Sequence, residues 1–185
     1  MKTAIVTLTS VSPYSQSRHY SVPKLDKESA ADYEARTWRN RLHSNESGNV
    51  IIPPMAFKNC LSEAAKYLSI QIAGKGKATY TKHFEAGVLC IEPVVLPVKV
   101  ADVSSECLFV PADGKRGSGK RVEKFFPVIH SWSGQVTFQI LDETITRDVF
   151  ETHLVEAGKF IGIGRFRPRN NGFYGRFTVK VNSWE

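Results

Sequence analysis

The hydrophobic period of this chain changes in a set order, and that order restricts the folds open to it. Thr3 to Thr9 (TAIVTLT) alternates apolar and polar residues, the two-residue period of a half-buried strand. Pro53 and Pro54 suit the first turn of a helix, and after them Phe57, Leu61, Ala64, Ala65 and Leu68 recur at helical spacing. FEAGVLCIEPVVLPV, from Phe84 to Val98, reads as a strand pair or as one strand bent at Pro93. Gln135 to Leu141 (QVTFQIL) alternates again. Thr146 then caps a helix in which Phe150, Leu154 and Ala157 share a face and which Gly158 ends; Tyr174 to Val181 is the last strand.

Three further elements decorate this series. Ser29 and Asp32 form a helix-start signal, so ESAADYEARTWRNRLH is expected to be an extra N-terminal surface helix. Gly48 and Asn49 turn the chain into a short strand, Val50 to Ile52. The segment 99–135 is expected to be an insertion of two short strands carrying a flexible basic tip, Lys115 to Arg121. Stripped of these, the order is β-α-β-β-α-β. The predicted class is α+β, with a ferredoxin-like (RRM-like) core in one domain spanning 1–185.

A chain of 185 residues can bury one good core, and 42% hydrophobic with 23% charged residues argues against wholesale disorder. The net charge of +7 favours an anionic partner. Cys60, Cys90 and Cys107 are widely spaced without a CxxC pair, which predicts reduced, buried thiols rather than a disulfide framework or a zinc site. The five histidines are scattered, so no metal and no cofactor is expected. MKTAIVTLTS reads as an opening strand rather than a signal peptide, and no run approaches a membrane span; the expected location is cytoplasmic.

Chemistry concentrates between Phe160 and Phe177, FIGIGRFRPRNNGFYGRF. This stretch holds Gly162, Gly164, Gly172 and Gly175, then Arg165, Arg167, Arg169 and Arg176, with Phe166, Phe173, Tyr174 and Phe177 among them. Glycine lets backbone approach a ligand closely, arginine forks match phosphate, and aromatic faces stack on bases. On this reading glycine N–H groups and the four arginines hold phosphates, and Phe173 or Tyr174 stacks on a base. Reversing the charge of Arg165 and Arg169 is then expected to abolish binding and leave thermal unfolding nearly unchanged. Three other sites extend the basic surface: Lys58 near a helix start, Lys75 and Lys77 in a glycine-containing loop, and Lys115, Arg116, Lys120 and Arg121 at the hairpin tip. GKRGSGKR, 114–121, misses the nucleotide phosphate loop, because Arg121 stands where the metal-binding hydroxyl belongs and strand-like sequence follows.

Two segments in order, VIIPPMAFKNCLSEAAKYL and AGKFIGIGRFRPRNNGFYGRF, resemble the RAMP (repeat-associated) superfamily, which supplies the RNA-binding backbone of CRISPR effector complexes. The first is similar to its strand, proline and helix unit, with Lys58 at the place of that helix's lysine. The second is similar to its glycine-rich loop, and GFYGRF fits the G-aromatic-G-basic-hydrophobic pattern with one residue inserted. The resemblance implies that the loop contacts a guide-RNA backbone and that the insertion from Lys99 to Phe126 sits where such subunits carry a thumb. For so short a chain it implies a free-standing relative, encoded by a phage or other mobile element.

The leading expectation is a non-enzymatic protein that binds single-stranded RNA or DNA, as a homo-oligomer or with CRISPR-type complex subunits. One rival is a protein-interaction mimic that occupies a backbone position and inhibits such a complex. Another is a RAMP-type RNase using His19 and Asp26, since cleavage needs general acid-base groups or a metal at the scissile phosphate.

Overall fold

The computed structural model describes residues 1–115, 117 and 119–185. In chain order its strands are β1 (Lys2–Ser10), β2 (Tyr14–Ser15), β3 (Asn49–Ile52), β4 (Val88–Cys90), β5 (Val94–Lys99), β6 (Ser104–Pro111), β7 (Arg121–Ile129), β8 (Ser133–Ile140) and β9 (Phe177–Trp184). The α-helices are α1 (Ala30–Thr37), α2 (Pro54–Leu68), α3 (Thr81–Gly87) and α4 (Arg147–Glu156).

The predicted caps form. Ser29 Oγ accepts from the Asp32 N–H at 3.1 Å to start α1, and Thr146 Oγ accepts from the Val149 N–H at 3.4 Å to start α4. Pro54 opens α2, where a missing N–H costs nothing, and Ser69 ends it in a left-handed conformation. The main sheet has the order β4-β8-β1-β9, with every neighbouring pair antiparallel. Ala4, Val6 and Leu8 of β1 and Val136, Phe138 and Ile140 of β8 point to one face. There they join Phe57, Leu61 and Ala65 of α2 and Phe150 and Leu154 of α4 in a common core. The opposite face carries Thr3, Ile5, Thr7, Thr137 and Gln139 at registered positions, with no aromatic ring among them.

Two ribbons leave this core. β6 and β7 pair from Ser104↔Val128 to Pro111↔Arg121, and β2 extends that ribbon at Tyr14↔Ile129. β3 pairs with β5 at Ile51↔Val95. Trp132, at the junction of β7 and β8, is 5% exposed and lies within 6.1–6.4 Å of the rings of Tyr14, Phe57 and Phe177.

Five expectations about the secondary-structure elements, and one about the thiols, need correction. Phe84 to Gly87 is helical, the end of α3: its Phe84 N–H donates to Tyr80 O at 3.0 Å, and the fully buried Phe84 seats the turn. The strands between Phe84 and Val98 form neither a pair nor one bent strand, because β4 joins the main sheet and β5 pairs with β3. The hairpin strands are eight and nine residues long, not short. Gly158 does not end the last helix. The chain continues through a wider turn, Ala157–Ile161, in which the Gly162 N–H donates to Ala157 O at 2.9 Å. The final strand starts at Phe177, since Tyr174 turns inward to bond the hairpin. Among the thiols, Cys60 and Cys90 are buried as expected, whereas Cys107 is exposed.

Candidate nucleic-acid interface

The glycine-arginine segment folds back on itself, and its glycines meet protein backbone. A Cβ on Gly175 would lie 1.9 Å from Ile163 O, and one on Gly164 2.4 Å from Ser15 O; both residues have positive φ. A Cβ on Gly172 would lie 1.8 Å from Phe166 O. The Gly172 N–H donates to Arg167 O at 3.0 Å, and the Gly175 N–H to Pro13 O at 2.8 Å. With Gly162 bonded to Ala157, three of these glycine N–H groups donate to backbone carbonyls of the protein itself.

Arg165 is likewise engaged. Its Nε donates to Ser15 Oγ at 3.0 Å, its terminal nitrogen to Glu106 Oε1 at 2.8 Å, and its guanidinium lies 4.0 Å from the Phe126 ring centre. Tyr174 OH donates to the other oxygen of Glu106. One carboxylate on β6 thus takes two donors from the glycine-arginine segment, clasping the segment to the base of the hairpin. Charge reversal at Arg165 would set two carboxylates face to face, so the expectation that unfolding stays unchanged does not hold for that residue.

Burial, with the Glu106 hydrogen bond and charge adding, pushes the Tyr174 phenol up to about 12. Burial raises Tyr14 and Cys60 further and lifts Cys90 to about 12. Each of these groups holds its proton more tightly folded than unfolded. Their stabilising contribution is therefore complete below roughly pH 9 and is lost as pH rises toward about 12. The midpoint of chemical denaturation is expected to fall across that window and to stay flat between about pH 7 and 8.5. In Glu106→Gln, the Tyr174 phenolate should appear at lower pH in a spectrophotometric titration.

Between α2 and the glycine-arginine segment run two adjoining concavities, of about 500 and 390 Å³, which share Ala56, Asn59 and Gly164. Lys58, Lys66 and Arg167 line the first, with Glu63 and Glu85; Arg18, His43 and Arg165 line the second. Lys58, Lys66, Arg167, Arg18 and Arg165 outnumber Glu63, Glu85 and Glu106, the carboxylate paired with Arg165, which makes the groove electropositive. Burial, helped by Arg18, lowers the His43 pKa, so this imidazole is neutral at pH 7. Lys58 Nζ reaches across to Glu85 O at 2.6 Å and Ser62 Oγ at 3.0 Å, which fixes it at the groove wall. Arg167 donates to Glu63 Oε1 at 2.7 Å.

The structure brings Lys58, Gly164, Arg165 and Arg167 together in this groove. Arg169 is exposed beyond its end, stacked 5.7 Å from the Tyr67 ring centre, and Arg176 bonds Lys159 O on the neighbouring turn. Gly162 and Gly175 are buried, and Tyr174 is 8% exposed. Lys75 and Lys77 lie exposed in a loop past the C-terminal end of α2, beyond Ser69. Lys115, Lys120 and Arg121 are exposed at the hairpin tip, and Arg121 caps Phe109 O at 2.9 Å. Arg121 stands five residues beyond Phe126, the partner of Glu106, so strand rise sets it about 17 Å from the clasp. Arg116 lies outside the described residues. His19 and Asp26 are exposed and line neither concavity.

Sequence reading missed Arg18, His43, Asn59 and Lys66. A signal existed for α2: Met55, Lys58, Asn59, Ser62 and Lys66 recur three and four apart on its solvent side. No helix among the described residues is long and apolar enough to cross a membrane. No family model matches the chain, and no curated protein matches it. Among solved structures it is similar to a chain of a CRISPR RNA-guided surveillance complex, with a TM-score of 0.37 and 8% identity over 96% of this chain and 68% of the other.

Proposed function

We propose that this protein is a non-enzymatic nucleic-acid-binding subunit that holds a single strand, RNA in preference to DNA, by its phosphates in the groove between α2 and the glycine-arginine segment. The observation that carries the reading is the alignment of Lys58, Lys66 and Arg167 along one open groove with Arg18 at its end. Lysine and arginine side chains along a channel attract a polyanion and give salt-dependent affinity without base readout. The glycine-arginine segment acts here as a rigid wall. Its glycines allow the backbone crossings that present Arg167 and Arg169, and the Glu106 clasp keeps it in place.

The sheet order β4-β8-β1-β9, with helices α2 and α4 joining its strands, supports a ferredoxin-like core. RNA-recognition modules of that arrangement stack bases on sheet aromatics. The ring-free sheet face found here favours the helix side as the binding surface. The motif resemblance to RAMP backbone subunits points the same way and favours assembly along a strand, as a homo-oligomer or within a ribonucleoprotein complex. The exposed basic hairpin and the Lys75–Lys77 loop extend the contact to neighbouring stretches of the same strand.

Protein purified at moderate salt is expected to elute as an assembly with an ultraviolet spectrum dominated by nucleic acid, digested by RNase and resistant to DNase. A clean monomer that ignores added single strands at low salt would overturn the proposal.

A further inference from the structure

Beyond the end of the groove, two aromatic rings stand in water in contact with each other. Tyr67, on the last turn of α2, is 52% exposed, and Phe160, on the turn after α4, is 47% exposed; their centres are 5.9 Å apart at 35°. The Arg169 guanidinium lies over Tyr67 at 5.7 Å. Single exposed apolar residues need no explanation, but a contiguous cluster of planar groups does. Nothing in the fold requires it: Tyr67 and Phe160 point away from the core that α2 and α4 build.

Resting on the proposed function, we infer that this cluster is a nucleobase platform, on which one unstacked base of the bound strand lies against Tyr67 and Phe160 with Arg169 closing over it. Continuity with the groove identifies the occupant. Lys66, which lines the groove, immediately precedes Tyr67. Tyr67 also sits one helical turn beyond Glu63, the carboxylate that holds Arg167. A strand with phosphates on Lys58, Lys66 and Arg167 therefore brings its next base to these rings. Arg165 and Arg167 are each held by a glutamate, whereas among the described residues no carboxylate pairs with Arg169. That guanidinium is positioned to stack on a base, a role its planar cation suits. Lys66 gives the platform a basic rim on the groove side, complementary to a polyanion, while Lys159 is paired with Glu156 at 2.7 Å.

Fluorescence anisotropy with two labelled probes of equal length tests this: a uridine oligonucleotide and its abasic ribose-phosphate counterpart. Wild type is expected to bind the base-bearing probe roughly tenfold more tightly. Tyr67→Ala and Phe160→Ala should lose that preference without changing affinity for the abasic probe, and Tyr67→Phe should keep it. Both positions are half exposed, and circular dichroism verifies that each variant folds. Equal wild-type affinity for the two probes would overturn the platform and leave the phosphate groove standing, whereas binding to neither probe at low salt would end the groove reading itself. If Tyr67→Ala disperses an oligomer yet keeps its uridine affinity, the patch is an interface between copies and the inference fails.

Discussion

Replacing Lys58 and Lys66 together by glutamate is expected to weaken binding of a single-stranded oligonucleotide by at least about a hundredfold. Each lysine offers a phosphate a charge-assisted hydrogen bond of roughly 1.5–3 kcal/mol, and two of them give about 3–6 kcal/mol. The salt dependence should change with the affinity. On single strands the logarithmic slope carries about 0.7 per phosphate neutralised, so loss of two contacts flattens it by about 1.4. Folding should hardly respond. Lys66 is exposed, and Lys58 loses only its bonds to Ser62 Oγ and Glu85 O, worth about 1 kcal/mol net. That corresponds to a shift of roughly 2–4 °C in Tm. An unchanged affinity and slope in the folded double variant would remove α2 from the binding surface.

Gly175→Ala is expected to destabilise the fold by at least about 3 kcal/mol, a fall of roughly 6–12 °C in Tm. Two effects add. At φ +79 an alanine meets the left-handed penalty of roughly 1–2 kcal/mol, and its Cβ would lie 1.9 Å from Ile163 O. Relief requires the segment to part from Ile163, which breaks the Ile163 N–H to Gly175 O bond of 3.0 Å and pulls Gly175 from Pro13. Gly74→Ala is the matched control. Its φ is +74, yet nothing lies within 4 Å of the added atom, so it should lose only about 1 kcal/mol. Thermal unfolding of the two variants separates packing from backbone strain. A Gly175→Ala protein that melts like wild type but no longer binds nucleic acid would return these glycines to a ligand-contacting role.

The contrast bears on what the sequence could reveal. Period alone located β1, β8 and α2, because each has one buried face and one wet one, and hydroxyl caps marked the starts of α1 and α4. α3 escaped because seven residues with Phe84 as the principal apolar anchor cannot display a helical period. The β6–β7 ribbon is exposed along much of both faces, so no alternation advertised its length. Composition flagged the glycine-arginine segment correctly as unusual but could not say why. A glycine that lets backbone approach a phosphate and one that lets backbone approach backbone leave the same letter. The partners that decide between these uses, Glu106 for Arg165 and Glu63 for Arg167, lie 59 and 104 residues away. The groove lies between α2 and that segment, far apart in the chain, so only one wall at a time was legible. Arg169, which no carboxylate pairs with among the described residues, and Phe160 share that segment, but their neighbour Tyr67 lies on α2, so the cluster was likewise split.

The most direct test of the groove is to irradiate a complex with a single strand carrying photoreactive uridines and to map the crosslinked peptides by mass spectrometry. Crosslinks concentrated on the stretches around Lys58 to Tyr67, Arg18, and Phe160 to Arg169, with weaker ones on the Lys75–Lys77 loop and the hairpin tip, are the predicted result. Crosslinks on the sheet face of Thr7, Thr137 and Gln139, with none on α2, would contradict the account.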